Sequence, residues 1–216
     1  MDWGVIAASG PALLEGALVT LRITVLGLAG GLALGVMVGL MRSYAPKYVG
    51  LVAFGYVEAI RGTPIVVQVM FIYFALPVLL GLRLDPIVAA YIAIIINSSA
   101  YIAEVVRGAF QSVAAGLVEA GLAVGLPMWK VLRYVTGPIA FRRSIPAMGN
   151  QFIVSLKDTS LFIVIGVGEL TRTGQEIMAT NFKAVEIWTA VAVLYLIMTG
   201  SLSWLLRFTE RRVKML

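Results

Sequence analysis

Leu18-Val-Thr-Leu-Arg-Ile-Thr-Val-Leu-Gly-Leu-Ala-Gly-Gly-Leu-Ala-Leu-Gly-Val-Met-Val-Gly-Leu-Met41 carries a single charge, Arg22, and its length matches the hydrocarbon core of a bilayer. Roughly 20 apolar residues suffice to cross that core as a helix. A helix is required because a spanning segment must satisfy its own backbone hydrogen bonds. Within the stretch, Gly27, Gly31, Gly35 and Gly39 fall at every fourth position. That spacing lays a smooth strip along one helix face, where a second backbone can approach closely.

Further apolar blocks follow, and together they predict an all-α integral membrane protein of about five transmembrane helices, near 18–41, 53–77, 86–106, 144–168 and 187–206. The composition agrees. Hydrophobic residues make up 60% of the 216 and charged residues 13%, about half the charge of an ordinary soluble domain. One membrane domain, 1–216, accounts for the chain. Residues 1–17 read as a short outer segment. Asp2 and Glu15 precede the first basic residue, Arg22, so the positive start of a cleavable signal is missing and the first block is expected to persist.

Charge placement sets the expected topology. Eleven of the 17 basic residues lie on one side of a five-span weave: Arg42 and Lys47, then Arg107, Lys130, Arg133, Arg142 and Arg143, then Arg207, Arg211, Arg212 and Lys214. The other side holds Arg83, Arg172 and Lys183. Positive-inside bias then puts the N-terminus outside and the C-terminus in the cytoplasm, in a multi-pass protein of the plasma membrane. The formal charge of +6 is thereby topological and calls for no nucleic acid.

Absences narrow the chemistry. With no cysteine and no histidine, disulfides, Ser–His and Cys–His nucleophiles and histidine-bound zinc are all excluded. No Gly-x-x-x-x-Gly-Lys-[Ser/Thr] occurs, so the chain holds no nucleotide in the P-loop manner and no cofactor or metal is expected in it. A membrane enzyme is a poor reading.

Between the third and fourth blocks, 107–143 forms the longest polar section. Inside it Gly116-Leu-Val-Glu-Ala-Gly-Leu-Ala-Val-Gly-Leu-Pro127 reads as a short helix closed by Gly125 and Pro127. Apolar and small, it needs a cover: either the protein's own spans or a docked partner.

Glu119-Ala120-Gly121, then Gly125, then Val135-x-Gly137-Pro138 resembles the EAA loop of bacterial ABC importer permeases, departing from its pattern at Gly121, Val135 and Gly137. Ile60-Arg-Gly-Thr-Pro64 leading to Val67-Gln68 and Phe71-Ile-Tyr-Phe-Ala-Leu-Pro77 is similar to the polar amino-acid branch of that family. So is Gly149-Asn150-Gln151 leading to Lys157-Asp-Thr-Ser-Leu161. The resemblance covers essentially the whole chain. It implies the type I importer permease fold and ATP-driven uptake of a polar amino acid, glutamine first, across a bacterial inner membrane. The implied partners are two copies of an ATP-binding subunit, a second permease subunit forming a homodimer, and an extracytoplasmic binding protein. It also implies that Glu119, Ala120, Gly121, Gly125 and Pro127 belong to a coupling helix gripped by the ATPase, which alone binds ATP.

Intramembrane polar residues give the candidate path. Asn97, Tyr101 and Glu104 form a stripe on one face of the third span. With Thr159, Ser160 and Leu161 they are expected to line the passage of a zwitterion. Lys157 and Asp158 are expected at its wall or seam, because an ionised residue facing lipid at mid-helix costs roughly 2.5–3.5 kcal/mol. Glu58 and Arg61 are expected to clasp one another. A purely structural network between helices is the competing reading for these residues. A channel or ion-coupled carrier working without an ATPase is the competing function.

Overall fold

The computed structural model describes residues 2–214, with side chains described to Thr209. Arg211, Arg212 and Lys214 of the basic tail therefore have side chains outside the described residues. All regular structure among the described residues is helical.

Helix α1 (Trp3–Tyr44) begins where the Asp2 carboxylate accepts from the Gly4 and Val5 amides at 3.1 and 3.4 Å. It ends at Ala45, which Pro46 forces into an extended conformation. Residues 3–17, expected as part of a short outer segment, thus form no separate element; they continue straight into the first span. At 1.5 Å per residue, α1's 42 residues reach about 63 Å, twice the hydrocarbon thickness.

The second block is broken. α2 (Lys47–Arg61) stops at Gly62, and Pro64 caps α3 (Ile65–Met70), which passes through a π-helical turn into α4 (Leu76–Leu80). The two halves are bent by 100°. Gly81, with φ 65°, ends α4 in the left-handed conformation. Asp85 then caps α5 (Pro86–Gln111) through the Ile87 amide at 2.8 Å.

The glycine strip of α1 meets the small residues of α5. A Cβ on Gly35 would stand 2.7 Å from the Ser99 carbonyl oxygen, and one on Gly39 would stand 2.8 Å from that of Ala103. Backbone approach this close is what the fourfold spacing permits. A buried core beside it unites Ile23, Val69, Ile94 and Phe162.

Helix α6 (Ala115–Ala123) is followed by α7 (Met128–Lys130), a π segment (Val131–Thr136) and α8 (Gly137–Asp158). The fourth apolar block is not one helix. α8 starts seven residues before it and gives way at Thr159–Ile165 to a 3-10 turn, closed by Gly166 at φ 79°. Next come α9 (Leu170–Asn181) and α10 (Ala184–Lys214). The Glu169 carboxylate is buried and caps α9, accepting from the amides of Thr171 and Arg172 at 2.9 and 2.8 Å and from the Tyr195 hydroxyl at 3.0 Å.

By length and composition, α1, α5 and α10 can each cross a membrane, and the bent pair adds a fourth crossing if counted as one. α8 falls short of that test because Arg142, Arg143, Asn150, Gln151, Lys157 and Asp158 interrupt its apolar run.

Candidate functional site

At the break between α2 and α3, the turn Gly62-Thr63-Pro64 leaves three residues without a regular helical ladder. Gln68, one turn into α3, compensates. Its side-chain amide donates to the carbonyls of Ile60 and Thr63 at 2.7 and 2.9 Å, and to the Thr63 hydroxyl at 3.0 Å. Its oxygen accepts from the Asn97 amide on α5 at 3.1 Å. A buried glutamine thus ties an irregular backbone to a straight helix, the condition under which such backbone is tolerated at membrane depth.

This corner opens into a cavity of about 640 Å³. Arg61 and Thr63 enter it from the turn, Asn97 and Tyr101 from α5, and Gln151 and Asp158 from α8. The Arg61 guanidinium lies 5.5 Å from the centroid of the Tyr101 ring, a cation–π distance. Gln151 donates to the Ser155 hydroxyl at 3.2 Å along its own helix. The cavity therefore presents a cation, a carboxylate and neutral amides on facing walls. That set can hold both ends of a zwitterion.

The expected path residues divide. Asn97, Tyr101 and Asp158 line the cavity, and so does Arg61, which was expected only as half of a clasp. Glu104 sits elsewhere, at the centre of a charge cluster. Arg107 forks onto it with nitrogen–oxygen distances down to 2.7 Å, Arg42 pairs with it, and Arg61 approaches to 3.9 Å. Its place in the polar stripe holds, but three arginines from three helices claim its oxygens. Glu58 and Arg61 do not pair with each other among the described residues; Glu58 turns to Arg42 at 3.8 Å.

Thr159, Ser160 and Leu161 do not line the cavity. Thr159 is fully buried and bonds to the Leu156 carbonyl at 2.8 Å, while Ser160 bonds to that of Lys157 at 2.7 Å. The cause is the 3-10 turn, which replaces the continuation of α8: it buries Thr159 and leaves Ser160 half-buried and Leu161 exposed. Lys157 is exposed on the surface of the chain. Gln68, Thr63 and Gln151 were absent from the expected path. The signal was present in the Gly-Thr-Pro interruption, which predicts carbonyls in need of a donor.

The second element is α6. Leu117, Leu122 and Val124 are exposed by 41%, 44% and 77%, as are the following Met128 and Trp129. Its end is a Schellman cap: the Leu126 amide donates to the Gly121 carbonyl at 3.1 Å and the Gly125 amide to that of Leu122 at 2.9 Å. Gly125 takes φ 83°, and Pro127 starts the next helix. Gly121 alone on α6 is buried, and a Cβ there would stand 2.9 Å from a Val131 methyl. The glycine that departs from the EAA pattern is where α6 rests on its own chain.

Comparison with known proteins decides the family. The model of the binding-protein-dependent transport system inner membrane component matches residues 11–215. The chain belongs to that family. Among inner membrane components, the glutamine transport system permease protein GlnP of Escherichia coli K12 is 59% identical over 216 residues, covering 100% of this chain and 99% of its own. The arginine transport system permease protein ArtQ of Bacillus subtilis is 31% identical over 99% of this chain and 98% of its own. A crystal structure of an amino acid ABC transporter with histidines superposes with a TM-score of 0.92 at 36% identity, covering 98% of this chain and 99% of that one. Membership of a binding-protein-dependent system, with relatives in ABC transporters, implies an ATPase partner and a substrate-binding protein.

Proposed function

We propose that this permease forms, with a second identical copy, the translocation path of an ATP-driven glutamine importer, and that the 640 Å³ cavity holds the amino acid in transit. The carrying observation is the convergence at that cavity of Arg61, Asn97, Tyr101, Gln151 and Asp158 from three separate helices. Arg61 and the side-chain amides suit a carboxylate, and Asp158 suits an ammonium group. The 59% identity to a glutamine permease selects the substrate.

In this reading the N-terminus is outside, the C-terminus is cytoplasmic, and α6 is the coupling helix. Two ATPase copies grip its exposed leucines, and ATP stays with them. Glu119 lies on the exposed side of α6, free to meet the ATPase. The small contact at Gly121 lets α6 move as a lever against α7 and the π segment, so closure of the motor can be passed into α8. Lys157 supports the second copy: exposed on one chain, its ammonium avoids lipid by facing a partner or the water-filled path. An ATPase-independent channel or carrier gives no reason for the uncovered apolar α6.

Reconstitution into proteoliposomes with the ATPase and the binding protein tests the proposal. Glutamine with its binding protein should stimulate ATP hydrolysis, and Asp158→Asn should raise the substrate concentration needed for uptake. Stimulation by another amino acid alone would overturn the substrate, and unchanged kinetics in Asp158→Asn would remove that carboxylate from the path.

A further inference from the structure

The stretch 128–143 has a surface that neither the cavity nor α6 uses. Trp129, Tyr134 and Phe141 are exposed by 59%, 64% and 63%. The Lys130 ammonium lies 5.5 Å from the Trp129 ring centroid, and the Arg133 guanidinium 5.6 Å from that of Tyr134. Amphipathic rings beside long cationic side chains suit a membrane–water boundary, with the rings at headgroup level and the cations reaching the headgroups.

Charge is unbalanced here. From 107 to 143 there are five basic residues and one acidic residue, Glu119. Arg107 is engaged by Glu104, and Arg143 donates to the Ser112 carbonyl and hydroxyl. Among the described residues, no ion pair engages Lys130, Arg133 or Arg142.

A cavity of about 170 Å³ adjoins this face, walled by Val36 and Leu40 of α1, Phe110 of α5, and Ala140, Phe141 and Met148 of α8. Phe141 is both wall and exposed surface, so the cavity opens beside Phe141. Gly137, also in its wall, is one helical turn from Arg133, about 6 Å along the axis. Apolar cavities of this size accept a hydrocarbon such as benzene, and hence several carbons of an acyl chain.

We propose that this face is a binding site for an anionic phospholipid, with its phosphate on Lys130 and Arg133, three residues apart on one helical run, and one acyl chain in the cavity between α1, α5 and α8. Basic pockets between membrane helices take such headgroups, and each basic residue near the surface contributes roughly fivefold in affinity. Docking of the ATPase on the same face would cover the rings but leave a hydrocarbon-sized cavity unfilled.

The intact permease–ATPase complex, in nanodiscs of equal parts phosphatidylethanolamine and phosphatidylglycerol, is released into native mass spectrometry and its retained lipids are identified. Wild type should retain phosphatidylglycerol selectively. The double variant Lys130→Gln, Arg133→Gln should lose it by roughly thirtyfold in affinity. Ala140→Leu, which fills the cavity without touching charge, should lose it too. Equal phosphatidylglycerol retention by wild type and both variants overturns the site. Loss of the ATPase from the double variant with lipid retention unchanged also overturns it, and assigns the face to the ATPase.

Discussion

The Asn97 side-chain amide donates to the Gln68 oxygen at 3.1 Å, joining α5 to the far side of the broken second block. Through this bond the cavity wall and the irregular turn become one unit. Gln68 supplies both of its donor hydrogens to carbonyls and hydroxyl of 60–63 and keeps its oxygen for Asn97. Gln68→Leu should therefore lower the thermal midpoint of the purified complex and reduce uptake together. The loss corresponds to about 1–3 kcal/mol for carbonyls left without a donor. Asn97→Leu, which removes one bond, should cost less in stability while still weakening transport. A Gln68→Leu protein with wild-type melting would refute this account of the bend.

Glu104 is shared by three arginines, and its removal leaves all three facing one another. Glu104→Ala should destabilise the fold by about 1–3 kcal/mol, below the range for a fully buried ion pair because its side chain is 18% exposed. Arg61→Ala should cost much less in melting temperature, because its 3.9 Å approach is the longest and its side chain is 39% exposed. Thermal unfolding of the two variants in detergent, compared side by side, checks the order.

Gly125 holds φ 83° at the end of α6, where a Cβ meets no neighbour but the backbone is strained. Gly125→Val should cost upwards of roughly 1 kcal/mol locally and loosen the Schellman cap. Glu119→Arg, at an exposed position, should leave melting unchanged yet uncouple ATP hydrolysis from uptake. Pull-down of the ATPase with each variant separates loss of docking from loss of coupling. Wild-type uptake by Glu119→Arg would remove that residue from the contact.

Two glycines of α1 make opposite predictions. Gly35→Leu places side-chain carbon against the Ser99 carbonyl and Ile102, and should abolish accumulation of the folded protein. Gly10→Ala meets nothing within 4 Å and should be neutral or stabilising by up to about 1 kcal/mol. Membrane yields of the two variants, read by in-gel fluorescence of a fusion, provide the comparison.

Glu169 gathers two amides of α9 and the hydroxyl of Tyr195. Glu169→Ala should destabilise the protein by about 1–2 kcal/mol through loss of the cap. Tyr195→Phe, which keeps both amide bonds, should cost less. Equal melting points for the two variants would show that the cap contributes nothing beyond the tyrosine bond.

What the sequence determined by itself was composition, periodicity and local chemistry. The apolar blocks imposed helices, because only a helix satisfies its own backbone in lipid. Gly125 and Pro127 marked the end of α6, and Gly62-Thr63-Pro64 marked a break, since both depend on backbone geometry at single residues. The fourfold glycine spacing specified a packing strip without naming α5 as its occupant. Tertiary structure alone decided who meets whom. Glu104 and Asp158 are both carboxylates within the expected spans, yet one is surrounded by arginines and the other opens to a cavity. Thr159 and Ser160 left the expected path because a 3-10 turn replaced the end of α8, burying Thr159 and turning Ser160 aside. Such assignments depend on distances between residues far apart in the chain, and those distances are set by packing several helices at once.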